Sequence, residues 1–312
     1  MVCFIFFASL YEHKLSLLMY SKHRITSAFK KAKELPLHKE SKYILFSDCH
    51  RGDNSFADDF ARNRKIYHYA LSQYFQKEFT YIELGDGDEL WENKFVNIFN
   101  ANKYIYLLLQ KFHQKNRLHF IWGNHDMNYR KSKNVAKNFN SYYDTIDGKK
   151  KELMPNASFS EAIKLVQEDG KSIFLLHGHQ ADWFNYTFWK FSRFLVRVLW
   201  RPLQIHGIKD PTSPAQNFKG LIKVERRLEE WIKSNNNQMI ITGHTHRPRF
   251  PSKNKLPHFN DGSCVHPRCI TGLEIENNEI TLIKWHVVTK EDGTMQITRS
   301  VLEGPKKITD YI

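Results

Sequence analysis

Three short runs of apolar and β-forming residues, Lys42–Phe46, Thr80–Leu84 and Leu118–Trp122, alternate with two segments of helical spacing. Phe60, Tyr67, Leu71 and Tyr74 recur at intervals that place them on one helix face, and Ile98–Phe112 is rich in Leu and Tyr. Short apolar runs bounded by polar residues suit strands buried on both faces. Strand, helix, strand, helix, strand is the pattern of a parallel sheet with helical crossovers, so this part of the chain is constrained to an α/β fold.

Beyond Trp122 the rhythm changes. Ala162–Val166 and Ser172–Leu176 read as strands joined by a turn at Asp169-Gly170. Leu221–Ile232 reads as an amphipathic helix closed by Asn235-Asn236-Asn237, and Met239–Thr242 as a further strand. Cys269–Ile275 and Ile280–Trp285 read as two strands around Asn277-Asn278. This divides the chain into a basic lead-in with some helical character (1–40), a main domain (41–290) carrying an aromatic and basic insert (181–220), and a weakly patterned tail (291–312).

A length of 312 residues suits one large α/β domain with insertions. No segment reaches the ~18–20 unbroken apolar residues of a spanning helix. Val2–Leu10 is apolar but has no basic residues before it and no small-residue cleavage site after it, so it does not read as a signal peptide. Two starts stay open, Met1 and Met19. Four cysteines are too few for a disulfide framework and fit free thiols in a reducing cytoplasm. A formal net charge of +14 and a pI near 9.4 favour anionic partners: phosphorylated substrates, nucleic acid or an acidic membrane surface.

The chemistry collects where the strands end. Asp48-Cys49-His50 follows the first strand, Gly85-Asp86-Gly87-Asp88-Glu89 the second and Gly123-Asn124-His125-Asp126 the third. His177-Gly178-His179 follows the hairpin, and Gly243-His244-Thr245-His246 follows the Met239 strand. Ligands of open α/β sheets bind beyond the carboxyl ends of the strands, so five such clusters point to one place. Taken singly, each is a turn or a satisfied histidine; five together are not a coincidence of loop composition. Carboxylate oxygen and neutral imidazole nitrogen suit Mn, Fe, Zn or Co. A carboxylate between two close cations also damps their repulsion.

These motifs, in the order D-x-H, G-D-x-x-E, G-N-H-D, H-G-H and G-H-T-H, resemble those of the calcineurin-like metallophosphoesterases, from Tyr43 to Trp285. The resemblance implies a four-layer αββα sandwich of the metallophosphoesterase type. It implies Asp48, His50 and His246 on a first metal, Asp86 as the bridge, and Asn124, His177 and His244 on a second. It implies two divalent ions, with manganese ahead of iron and zinc. His125 matches the non-ligand histidine that assists the leaving group, with Asp126 orienting it. The implied reaction is in-line attack on a phosphate ester by a metal-bound hydroxide.

Within that family, Gly85-Asp86 with Glu89-Leu90-Trp91, the run Gly243–Pro248, and Asn260-Asp261-Gly262-Ser263 resemble UDP-2,3-diacylglucosamine hydrolases. Two positions depart from them: His125 stands where those enzymes carry Arg, and His179 where they carry Asp.

The segment Trp183–Arg201 is largely aromatic and aliphatic, and as a helix it aligns Lys190, Arg193, Arg197 and Arg201 in one basic stripe. Three readings stay open: a substrate lid in which Arg193, Arg197 and the nearby His179 meet the substrate, an interfacial helix on an anionic membrane, or a packed helix with a solvated basic edge. The function expected is hydrolysis of a phosphorylated small or lipid-linked substrate. A nuclease or cyclic-nucleotide phosphodiesterase is the enzymatic alternative, although the aromatics are concentrated in one insert rather than interleaved with basic residues as in nucleic-acid grooves. A non-catalytic scaffold on the same fold is the other class.

Overall fold

The computed structural model describes residues 19–182 and 218–312, with residues 186, 187, 193, 194 and 196 of the stretch between. A first helix, α1 (residues 19–30), leads into β1 (Lys33–Pro36) and β2 (Tyr43–Phe46). Then come α2 (Arg64–Gln76), β3 (Thr80–Leu84), α3 (Phe95–Gln114), β4 (Leu118–Ile121) and α4 (Ser132–Phe139). Five strands follow: β5 (Ser141–Asp144), β6 (Lys149–Glu152), β7 (Phe159–Ser160), β8 (Ala162–Val166) and β9 (Ser172–Leu176). After α5 (Phe218–Lys233) come β10 (Ile240–Thr242), β11 (His258–Asn260), β12 (Cys269–Glu276), β13 (Glu279–Thr289) and β14 (Met295–Lys307).

The strands make two main sheets. One has the order β14-β13-β12-β2-β3-β4-β7 and the other β1-β8-β9-β10-β11, while β5 and β6 form a separate hairpin. The pairs β2–β3 and β3–β4 are parallel, as the crossover pattern requires. The β8–β9 pair is antiparallel around Asp169-Gly170, with Gly170 at φ +84°.

Alternation along each strand explains the layering. In β2, Tyr43 and Leu45 face the second sheet, where they meet Ile163, Leu165, Ile173, Leu175 and Ile241. Ile44 and Phe46 face the other way, against Tyr67, Leu71 and Tyr74 of α2 and Leu109 and Phe112 of α3. The second sheet does the same: Phe174, Leu176 and Ile240 turn outward against Ile25 and Ala28 of α1 and Leu228, Trp231 and Ile232 of α5. The result is helix, sheet, sheet, helix: the αββα sandwich.

Several elements, α4, β5, β6 and β11 among them, carried no clear signal in the sequence, and three edge strands show why. β1 has the burial pattern of an edge strand, mostly exposed. β7 is two residues long. β14 runs for 13 residues along the edge of the seven-stranded sheet with its residues exposed or half-buried, which is why 291–312 shows so little patterning. No helix among the described residues is long and apolar enough to cross a membrane. Cys49, Cys264 and Cys269 are free thiols. Most of the 183–201 insert, Arg197 and Arg201 included, lies outside the described residues; Arg193 is helical and half-buried.

Candidate metal centre

Five strand ends meet at one edge of the sandwich. β2, β3 and β4 of the seven-stranded sheet deliver Asp48, His50, Asp86 and Asn124; β9 and β10 of the five-stranded sheet deliver His177, His244 and His246. Backbone bonds knit the loops together: Asp48 N–H to Gly85 O (3.0 Å), His50 N–H to Asp86 O (2.9 Å), and Gly243 N–H to His177 O (3.0 Å).

Turning the chain this sharply after a strand puts Asp48, His50, Asp86, His244 and His246 in the left-handed backbone region, at φ between 46° and 67°. A non-glycine residue there is strained, and such strain gathers at functional sites. Two flanking glycines are sterically required. A Cβ on Gly85 (φ +92°) would lie 2.6 Å from the His177 ring, and one on Gly123 would lie 2.1 Å from Asp86 Oδ1.

The ligand-type atoms gather in overlapping groups. Asp48, His50 and His246 form one, Asp86, His177 and His244 another, and His50, Asp86 and His125 a third that shares a residue with each, every group with its donor atoms within 4.8 Å of one another. His246 Nε2 is 3.0 Å from Asp48 Oδ1, and His177 Nε2 is 3.1 Å from Asp86 Oδ2. His50 Nε2 lies 3.7 Å from Asp48 Oδ1 and 3.8 Å from Asp86 Oδ2, linking the first two groups.

In four of these side chains the other polar atom is already used. Asp48 Oδ2 accepts the His244 N–H (2.8 Å), and Asp86 Oδ1 accepts the His125 N–H (2.8 Å). His177 Nδ1 bonds to Leu84 O (2.9 Å) and His50 Nδ1 to Glu89 (2.8 Å), which leaves Nε2 of both rings for the cluster. The atoms aimed inward make no hydrogen bond: Asp48 Oδ1, His50 Nε2, Asn124 Oδ1, His177 Nε2 and His244 Nε2 are buried without one, facing charged neighbours such as Asp86 and, for His244, Asp182 Oδ2 at 3.4 Å. Orphaned buried atoms of this kind are costly unless a ligand satisfies them. Carboxylate, imidazole and amide donors in two adjoining groups fit a pair of divalent cations.

Electrostatics agree with the geometry. Burial pushes the Asp48 and Asp86 carboxyls up, but facing histidines outweigh it and hold both well below the usual range. Burial likewise works against a proton on His177, yet Asp86 and Asp48 raise it to about 9 in the metal-free protein.

His125 sits beside the cluster. Its ring stacks on Trp91 at 4.0 Å between centroids, and Trp91 Nε1 donates to Asn124 O (2.8 Å), so one indole holds the Asn124 backbone and its neighbour's ring. Nδ1 of His125 meets the Glu89 carboxylate at 2.8 Å. The same carboxylate binds His50 Nδ1 and is held down at about 2, because His125 and His50 outweigh the effect of burial.

Two expectations are corrected here. Asp126 does not orient His125: its carboxylate accepts the Gly123 N–H (2.6 Å) and the Gly87 N–H (2.9 Å), fixing two loops, and Glu89 takes the histidine. His179 is no cleft residue. It is 0% exposed, with its ring 5.5 Å from His177 and stacked on Tyr186, and burial pushes it well below its ordinary value. Glu89 and Trp91 were both in view as part of one sequence run; their roles needed the loop's return past His125, which no spacing announces.

Under the loops lies a charged anchor. Arg51, 1% exposed, donates both terminal nitrogens to Glu83 (2.6 and 2.8 Å) and Nε to Asp88 (2.8 Å). Tyr106 and Tyr129 complete Asp88 at 2.6 and 2.7 Å, which ties the β2 and β3 loops to α3.

Comparison with known proteins adds a family. Residues 41–248 match the calcineurin-like phosphoesterase family model. No curated protein sequence matches the chain. Among solved structures, Vacuolar Protein Sorting 29 from Cryptosporidium parvum is similar at 14% identity and a TM-score of 0.35, covering 85% of this chain and 98% of that one. Vps29 from Chaetomium thermophilum gives 10%, 0.36, 85% and 97%. Vps29 complexed with Zn²⁺, from Entamoeba histolytica, gives 14%, 0.34, 84% and 99%. Likeness at this level bears on neither activity nor partners. The family match spans well over half the residues and carries all five strand-end clusters, and the chain belongs to the calcineurin-like phosphoesterase family.

Proposed function

We propose that this chain is a dinuclear-metal phosphoesterase that hydrolyses a phosphate ester or pyrophosphate, with Asp48, His50 and His246 on one ion, Asn124, His177 and His244 on the other, and Asp86 between them. The supporting observation is the set of buried carboxylate, imidazole and amide atoms that face the cluster without a hydrogen bond. Two divalent cations there supply Lewis acidity toward the phosphoryl oxygens and an activated water.

The chain's own residues do the rest. Glu89 accepts from Nδ1 of His125, which fixes the ring by that nitrogen and leaves Nε2 as the atom to meet the departing oxygen. Trp91 prevents that ring from turning. A fold that had become a scaffold would have been free to lose ligands, whereas all seven ligand positions and His125 are filled with competent residues.

Turnover of bis-p-nitrophenyl phosphate with Mn²⁺, abolished in Asp86→Asn, is the expected result. A panel of lipid-linked pyrophosphates, nucleotides, cyclic nucleotides and single-stranded DNA then separates the phosphomonoesterase and pyrophosphatase readings from a nuclease. A folded, metal-replete protein inactive on every member would refute the proposal.

A further inference from the structure

Ser47 stands between two carboxylates. Its Oγ is 2.6 Å from Asp48 Oδ2 and 2.7 Å from Asp261 Oδ1, and all three side chains are 0% exposed. One hydroxyl carries one proton, so it can donate to only one of these oxygens. The other contact also needs a proton, since two bare oxygens at that distance in a buried site repel.

The proton budget is settled by Asp48. Its Oδ2 already accepts the His244 N–H, and its Oδ1 faces His246 and His177, so this carboxylate is the acceptor. Ser47 therefore donates to Asp48, and the proton in the second contact belongs to Asp261. We propose that Asp261 is held as a neutral carboxylic acid and turns the Ser47 hydroxyl toward Asp48, which makes it a positioning residue for the first metal-ligand loop. The positioning role rests on the reading of Asp48 as a metal ligand.

The surroundings fit a neutral group. Asp261 Oδ2 is buried with no hydrogen-bond partner, a state that is far costlier for an ionised carboxylate than for the carbonyl oxygen of an acid. Burial pushes this carboxyl well above the usual range; the Ser47 bond opposes that and the nearby Asp48 charge adds to it. The backbone is fixed as well: Asp261 N–H donates to Thr242 O (3.1 Å), and Asn260 Nδ2 bonds to Gly243 O (2.7 Å). The Asn260-Asp261 corner thus holds both the loop carrying His244 and, through Ser47, the loop carrying Asp48. A cation on the Oδ1 side would keep Asp48 ionised and so without a proton of its own to give Ser47.

Infrared difference spectroscopy reads the proton directly. The metal-free wild-type protein at neutral pH is expected to show a carboxylic-acid carbonyl band that shifts in D₂O and is absent from Asp261→Asn. Mn²⁺ titration reads the positioning. Asp261→Asn, whose amide can donate to Ser47, should bind Mn²⁺ as the wild type does. Ser47→Ala and Asp261→Leu should bind it about 10- to 100-fold more weakly, the usual cost of an outer-shell partner. Absence of the band, or wild-type Mn²⁺ affinity in Ser47→Ala, overturns the proposal even if Asp261→Leu does not fold. The band is independent of metal: a wild-type protein that shows it but binds no Mn²⁺ refutes the phosphoesterase reading and leaves the proton on Asp261.

Discussion

Glu89→Gln is the sharpest test of how this site is held. The carboxylate accepts from Nδ1 of His50 and of His125, both at 2.8 Å. Glutamine keeps one acceptor oxygen and turns an N–H₂ group toward the other ring, where a donor meets a donor. One histidine must then rotate or take the wrong tautomer. A hydrogen bond to a charged group contributes about 1.5–3 kcal/mol, and at about 1.4 kcal/mol per tenfold its loss lowers a rate or an affinity about 10- to 150-fold. The two histidines separate the effects. Disturbing His50 appears in Mn²⁺ affinity, measured by calorimetry. Disturbing His125 appears in kcat at saturating Mn²⁺, and more strongly with phenyl than with p-nitrophenyl esters, because a poor leaving group depends more on a proton. A variant with wild-type affinity and wild-type kcat on both esters would refute the bridging role.

Two further outcomes follow from buried charges. Arg51→Leu strands Glu83 and Asp88 in the core and should destabilise the fold by about 3–5 kcal/mol in urea titration, with an unchanged midpoint counting against the anchor. His177 is raised from 6.5 to about 9 in the metal-free protein, so its contribution is complete below pH 6.5 and lost as pH rises toward 9. In EDTA, stability should therefore fall on the order of 3 kcal/mol across that window, and Mn²⁺, which needs the neutral ring, should abolish the slope; a flat profile in EDTA would refute the assignment.

The gathering of the candidate residues was readable in the sequence because each polar group directly follows a strand, and strands buried on both faces announce themselves. Asp48, Asp86 and His244 needed only that adjacency. What stayed hidden depends on contacts between distant loops. Glu89 lies three residues after Asp86, yet nothing in that spacing reveals that it reaches both His50 and His125. Asp126 lies next to His125 in sequence and the family resemblance implies that it orients that ring, but its side chain turns to the backbone of Gly87 and Gly123. In the fold, β14 escaped notice because an edge strand with exposed side chains has no apolar face to show.

The donors divide between two sheets that are tied along this edge by side-chain packing and by hydrogen bonds such as His177 Nδ1 to Leu84 O and His244 N–H to Asp48 Oδ2. A cation pair gripping both would act as a rivet through the two leaves of the sandwich. Taking the ions out should then slacken the interior seam from that edge inward, so that amides of β9 and β10 exchange faster together with those of β2 and β3, far beyond the loops that touch the metal.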